Sequence, residues 1–270
     1  AAGGIWSNVT DWSKWVIAQM NHGKYGPELK QKIFSDAVHE ETWAAQTIIN
    51  ANTMPPYNTH FAAYGLGWFL SDVKGYKQVT HTGGLAGIVT QVVMFPELNL
   101  GILVFTNQQS GAAFNAISNT IKDSYLGVSG YDWVKMMHDR VEKGEAEAKK
   151  INEEVVKNIK ASQAKAGGGF DITPYIGTYK DPWFGDIVIS NNNGKAWLAS
   201  KRSPKLKGEL FPYKGNTLIV RWTDRSMDAD AFVMFTTDMD GKSSGMTMKA
   251  ISPLTDFSFD FHDLDLKRVK

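Results

Sequence analysis

Between residues 9 and 20, apolar side chains recur at Val9, Trp12, Val16 and Met20, spacings of three and four that share one helical face. Ser7 and Asn8 precede this run as N-cap types, Asp11 lies in the first turn, and Asn21-His22-Gly23 closes it. A second helix-like segment spans Pro27 to Asp36, and Met54-Pro55-Pro56-Tyr57-Asn58 reads as a loop. From residue 64 to 107 the period shortens to two. Val89, Gln91, Val93 and Phe95 alternate with Thr90, Val92 and Met94; both sets are largely apolar, which predicts a strand covered on both faces. Pro96-Glu97-Leu98-Asn99 is a turn, with Gly101–Thr106 as the hairpin partner. Phe114, Ile117, Ile121 and Tyr125 predict an amphipathic helix that ends at Gly127.

Residues 131–166 return to the helical period, with Val134, Met137, Val141, Ala148, Ile151, Val155 and Ile159 as a stripe among Glu and Lys pairs such as Glu145/Lys149 and Glu153/Lys157. This reads as a solvated connector helix, with a partner-binding helix as the alternative, and Gly167-Gly168-Gly169 reads as a flexible joint. Beyond it lie strand signals at Tyr175–Tyr179, Ile187–Ser190, Ala196–Ala199, Thr217–Trp222, Ala231–Thr236, Gly245–Ala250 and Phe257–Phe261. Turns such as Asn191-Asn192-Asn193-Gly194 separate them, so seven or eight antiparallel strands in a small barrel or sandwich are expected. The pattern divides the chain into 1–127, a linker at 128–169, and 170–270. The fold class is α+β: part of an antiparallel sheet with flanking helices, then a small antiparallel β-barrel or sandwich.

Composition narrows the functions. At 270 residues, 43% hydrophobic and 12% aromatic, the chain supports two modest globular domains. A net charge of +1 gives no electrostatic footprint for nucleic acid or an anionic membrane. No cysteine is present, which excludes disulfides, thiolate metal sites and a cysteine nucleophile. No apolar run is long enough to span a bilayer. Ala1-Ala2-Gly3-Gly4-Ile5-Trp6 lacks the basic and apolar regions of a signal peptide, and is expected to be internal to a longer protein.

The densest chemical signal is His81-Thr82-Gly83-Gly84, set between Tyr64-Gly65-Leu66-Gly67-Trp68 and the Ile88–Phe95 strand. Together with Ala2-Gly3-Gly4-Ile5-Trp6-Ser7, Phe95-Pro96-Glu97 and Gly101–Asn107, in that order and spacing, it makes residues 1–126 resemble the C-terminal part of the penicillin-binding-protein/class C β-lactamase-like serine hydrolases. Residues 170–270 resemble, more loosely, the lipocalin-like β-domain that some of these hydrolases carry, with Tyr175-Ile176-Gly177-Thr178-Tyr179 as its opening. The resemblance implies acyl transfer to water from a β-lactam, a D-amino-acid peptide or a small ester, in a bacterial, extracytoplasmic setting. It implies His81 and Gly84 as catalytic: His81 as a cationic or hydrogen-bonding group in the proton-transfer network, and the Gly84 N–H as one oxyanion donor. Thr82 and Gly83 would bind substrate, Thr82 through its hydroxyl and Gly83 by letting the substrate backbone approach.

The nucleophile that such chemistry requires, a serine in a Ser-x-x-Lys motif held against its base, is not evident. Ser71-Asp72-Val73-Lys74 and Ser162-Gln163-Ala164-Lys165 have the spelling but the wrong surroundings, and Ser190-Asn191-Asn192 mimics the family's second motif in a far β-turn. The expected partners are therefore a small-molecule or peptide substrate and the missing N-terminal part of the same protein, with a homo-oligomer possible. A fragment of this kind is expected to be nearly inactive alone. A non-catalytic binding or scaffold protein that keeps the hydrolase shape is the alternative. No metal or cofactor is expected: His22, His39, His60, His138 and His262 are scattered, and Asp238-Met239-Asp240-Gly241 has Lys249 where a calcium loop needs Glu. Asp224, Asp228 and Asp230 read as solvated loop charge, and Trp183-Phe184 and Trp222 as barrel core or rim.

Overall fold

The computed structural model describes residues 3–85, 87–165, 170–256 and 258–269. Two compact units divide at 141/142. The first holds helices α1 (Val9–Met20), α2 (Asp36–Thr42) and α3 (Gly111–Leu126); α4 (Trp133–Lys165) begins in the first unit and continues into the second.

Asn8 caps α1 as expected: its side-chain oxygen accepts from the Asp11 N–H at 3.0 Å. The helix expected over Pro27–Asp36 does not form. Gly26, Glu28 and Leu29 take positive φ, so the chain turns back on itself, and β1 (Lys24–Tyr25) pairs with β2 (Gln31–Lys32) across a single 3₁₀ turn. A helix starts only where that expected segment ends, with the Ser35 hydroxyl accepting from the Val38 N–H at 3.3 Å. Lys30, Gln31 and Lys32 offer no apolar face to hold an earlier one.

A six-stranded antiparallel sheet follows in sequence order: β3 (Thr47–Ile49), β4 (Ala62–Tyr64), β5 (Phe69–Val73), β6 (Tyr76–Leu85), β7 (Ile88–Phe95) and β8 (Leu100–Thr106). Both faces are covered, as the double apolar set of β7 predicts. On one, Val16 of α1 packs with Trp43, Trp68, Leu70, Val79, Val92 and Met94. On the other, Phe114 of α3 packs with Val73, Val93, Phe95, Leu100, Ile102 and Val104. Met94 and Phe95, adjacent in sequence and pointing to opposite faces, are both fully buried; each such side chain contributes about 1.5–3 kcal/mol. α1 lies so close to β8 that a Cβ at Gly101 would sit 2.6 Å from Val16 Cγ1, so only glycine fits there. Gly127 ends α3 in the left-handed conformation, as expected.

The second unit is a closed eight-stranded barrel, with strands in order and β16 (Leu266–Val269) returning to β9 (Gly177–Asp181). Between them run β10 (Gly185–Asn192), β11 (Lys195–Ser200), β12 (Lys207–Lys214), β13 (Thr217–Trp222), β14 (Ala231–Thr237) and β15 (Ser243–Ala250). Closure leaves no free strand edge. Tyr179, Ile187, Ile189, Leu198, Leu218, Met246 and Leu266 fill the interior. Two strands escape the sequence pattern. β12 carries Pro212 at an irregularity in its pairing with β13, and β16 is four residues with two cations. The strand expected over Phe257–Phe261 is corrected: Phe257 lies outside the described residues, and buried Phe261 opens a 3₁₀ turn. β16 is pinned instead by Arg268, whose guanidinium donates to the carbonyls of Pro174 and Ser243, each at 3.0 Å.

The connector is also corrected. From residue 142 onward α4 is not solvated all round: Val155 and Ile159 pack on Ile219 and Ile251 of the barrel, and Ser162 Oγ donates to the Tyr213 carbonyl. This explains why Leu218, Ile219 and Val220 are all fully buried in succession, since Leu218 and Val220 belong to the interior cluster and Ile219 lies under the helix. The Gly167–Gly169 joint lies outside the described residues.

Candidate functional site

β6 carries the His-Thr-Gly-Gly segment, and its two neighbours differ in length. β5 reaches only Phe69, opposite Thr80. β7 continues to Ile88, opposite Leu85. Among the described residues, β6 is therefore paired on one side only from His81 onward, and Thr82, Gly83, Gly84 and Leu85 are exposed. An unpaired strand edge presents backbone donors and acceptors to any extended ligand.

His81 stands at the start of this edge, half-buried. Its Nε2 lies 3.0 Å from the Tyr64 hydroxyl and its Nδ1 2.5 Å from the Thr82 carbonyl oxygen. Phe69 packs 5.6 Å from the imidazole and edge-on to Tyr64 at 4.7 Å, between ring centroids. Alternation along β6 puts His81 and Gly83 on one face, Thr82 and Gly84 on the other. A Cβ at Gly83 would meet Thr90 Oγ1 at 2.7 Å, so its neighbour across β7 takes the room a side chain would need. A Cβ at Gly84 would make only ordinary contact, 3.9 Å from Val89 Cγ1. Gly3 lies beside Leu85 at the tip, and Gln109 Oε1 accepts from the Gly87 N–H at 3.1 Å. A groove of about 670 Å³ in the same unit, lined by residues such as Ile48, Phe61, Ser71 and Lys77, includes none of His81–Gly84.

The Ser-x-x-Lys spellings do not assemble with His81. Ser71 pairs with Gln78, whose Nε2 donates to Ser71 Oγ at 3.2 Å, and its side chain is on the face of β6 opposite His81. Lys74 sits in the following turn at φ 51°. Ser162 belongs to α4 of the second unit. Asp238 accepts from the Asp240 and Lys242 N–H groups, a turn as expected. Asp230 is more than solvated charge, since both Arg225 guanidinium NH groups donate to it at 2.7 and 2.9 Å. Trp222 is core and Trp183 exposed rim.

Sequence reasoning missed Tyr64 as the partner of His81, and it missed a buried polar cluster on the α3 side of the sheet. There Lys122 Nζ donates to Gln78 Oε1 at 3.3 Å and lies 4.3 Å from the Tyr57 ring centroid. Asp123 accepts from Tyr57 Oη at 2.7 Å and from Trp133 Nε1 at 2.6 Å. Burial pushes the Lys122 amine down to about 8, and burial with the adjacent Asp123 holds the Tyr57 phenol well above its usual range. His39 is buried between the rings of His22 and Trp43, each 4.4 Å away; among the described residues its Nδ1 has no hydrogen-bond partner, and burial lowers its basicity. Among the described residues, Asp260, His262 and Asp263 bring possible metal-ligand atoms within 4.8 Å of one another, on an open surface.

Known proteins divide the chain at a similar place. Residues 1–126 match the Beta-lactamase family, and residues 171–268 match a domain of unknown function, DUF3471. The unguisins hydrolase ungD of Aspergillus violaceofuscus is 27% identical over 218 residues, covering 72% of this chain and 36% of that protein. The unguisins hydrolase ungD' of Aspergillus campestris is 29% identical over 143 residues, covering 51% of this chain and 25% of that one. The chain thus spans about a third or less of the length of these curated relatives, and both are fungal. Among solved structures, the octameric penicillin-binding protein homologue from Pyrococcus abyssi is 15% identical, covers 96% of this chain and 46% of that one, and superposes with a TM-score of 0.38. Over residues 1–126 this chain is thus similar to the beta-lactamase family, without the match extending to the rest of the chain.

Proposed function

We propose that this chain supplies one wall of the acyl-transfer cleft of a serine hydrolase of the β-lactamase/penicillin-binding-protein type, with the attacking serine on polypeptide that precedes it in the whole protein. The carrying observation is the one-sided pairing of β6 from His81 onward. A substrate lies along this edge, Thr82 offers it a hydroxyl, and the Gly84 N–H is one donor to the oxyanion that forms when serine attacks the acyl carbon. His81 belongs to the hydrogen-bond network that moves the proton, and water then releases the acyl group. Supporting this are the family match over residues 1–126, the hydrolase names of both curated relatives, and the small share of those relatives that the chain spans. Substrate classes in keeping with it are β-lactams, D-amino-acid peptides and small esters, and the relatives' names add unguisins. The C-terminal barrel is an accessory, lipocalin-like domain whose interior is occupied by its own side chains.

The test is turnover of a chromogenic ester and of nitrocefin by the whole protein and by residues 1–270. The whole protein should be active, and His81→Asn should lower its kcat/KM by about a hundredfold, the scale of a lost acid–base group. Residues 1–270 alone should show no burst. A burst from residues 1–270, or full activity in the His81→Asn protein, contradicts the proposal.

A further inference from the structure

The Tyr64–His81 contact deepens the proposal above and rests on it for its catalytic meaning, but the contact itself can be read without it. The two nitrogens of His81 face different kinds of group. Nδ1 points at the Thr82 carbonyl, 2.5 Å away, which can only accept a hydrogen bond. Nδ1 therefore carries a proton in any charge state that keeps this contact. In the neutral ring Nε2 is then a bare acceptor, and the group 3.0 Å from it is the Tyr64 hydroxyl, which can donate. Phe69 closes the arrangement: it packs against the imidazole and stands edge-on to Tyr64, so both rings share an apolar neighbour that limits their rotation.

This contact is not a product of strand register. Tyr64 pairs with Phe69, and Phe69 with Thr80, so alternation sets Tyr64 on the face opposite His81. The two meet where β4 ends at Tyr64 and β5 begins at Phe69, on either side of the Gly65–Trp68 turn.

We infer that Tyr64 is a positioning residue for His81, holding the imidazole in its Nδ1–H form with Nε2 engaged by the phenol at the mouth of the open β6 edge. The pair then acts as one hydrogen-bonded unit: the phenol donates to Nε2 and Nδ1–H donates to the Thr82 carbonyl, so the imidazole enters the acyl-transfer network in one tautomer and one orientation.

Long-range ¹H–¹⁵N spectra of residues 1–270 at alkaline pH read the ring directly, with His81 assigned through His81→Asn. The expected result is the Nδ1–H tautomer, and a downfield move of the Nε2 resonance in Tyr64→Phe with the other five histidines unmoved. An Nε2–H tautomer in the unmodified chain overturns the inference without any variant, and so does an Nε2 resonance unchanged by Tyr64→Phe. In the whole, active protein, Tyr64→Phe should lower kcat on the order of tenfold to a hundredfold with KM within about twofold; an unchanged kcat overturns the positioning role. If His81→Asn itself leaves the whole protein fully active, the hydrolase reading falls, while the spectra still decide whether the pair exists.

Discussion

The two units treat apolar surface in opposite ways. The barrel pairs every strand, and its interior forms one continuous cluster of buried residues. The six-stranded sheet stays open at β3 and β8, and its core is split into two smaller clusters, one per face. Exposure follows: among the described residues, large apolar side chains such as Ile5, Trp6, Ile48, Phe61, Leu85 and Ile88 stand in solvent on the first unit, whereas the second exposes only Trp183, Met239, Leu254 and Val269. A closed barrel satisfies itself, while an open sheet with bare apolar flanks is a surface suited to being covered.

The sharpest way to break the comparison is to damage one core at a time. Leu218→Ala, at a fully buried barrel position, should cost about 2–5 kcal/mol. In urea unfolding followed by circular dichroism, it should shift the second unit's transition and leave the first unit's in place; a common shift of both would mean the units do not unfold separately. On the sheet side, Asp123→Ala strands the Tyr57 and Trp133 donors in the interior and should cost about 2–4 kcal/mol. An effect under about 0.5 kcal/mol would show that Asp123 is not buried as described.

Lys122 sharpens the contrast through pH. Its folded-state amine is held near 8 by burial, below the ordinary 10.5. Below pH 8 both folded and unfolded forms are charged and the folded state bears the full desolvation cost, of order 3 kcal/mol. Between 8 and 10.5 the unfolded chain binds the extra proton, so stability rises with pH across that window. Lys122→Met should therefore stabilise most at pH 7 and progressively less toward pH 10. Ionisation of Tyr57 in the unfolded chain lowers stability above that range in both proteins and cancels in the difference. A gain independent of pH would contradict the assignment. The smallest effect separates two adjacent glycines. Gly83→Ala should cost about 1–3 kcal/mol by crowding Thr90, while Gly84→Ala should stay within about 0.5 kcal/mol. Thr90→Ala should recover most of the Gly83→Ala loss in a double-mutant cycle.

Where one period governs a segment, the sequence announced the fold. Val9, Trp12, Val16 and Met20 gave α1, the double apolar face of β7 gave a strand covered on both sides, and Gly127 marked the end of α3. It failed where local and tertiary signals compete. Pro27 and the residues around it fold into a turn that a helical reading overlooks. Pro212 and the charges of β16 hide two strands whose place is fixed by barrel closure. Ile219 is covered only because α4 docks on it from a distant part of the chain. The His-Thr-Gly-Gly edge was legible because glycines beside a chemistry-bearing residue stand out between strands. Tyr64 was not, because strand alternation places it on the face opposite His81, and the contact forms only where β4 ends.

Mapping the acylated serine tests the central claim most directly. The whole protein is labelled with a fluorophosphonate or an acylating β-lactam, digested, and read by mass spectrometry. The modified serine should fall in polypeptide preceding residue 1, with labelling weakened by His81→Asn. A covalent adduct on Ser71, Ser162 or any other serine within residues 1–270 would contradict the account.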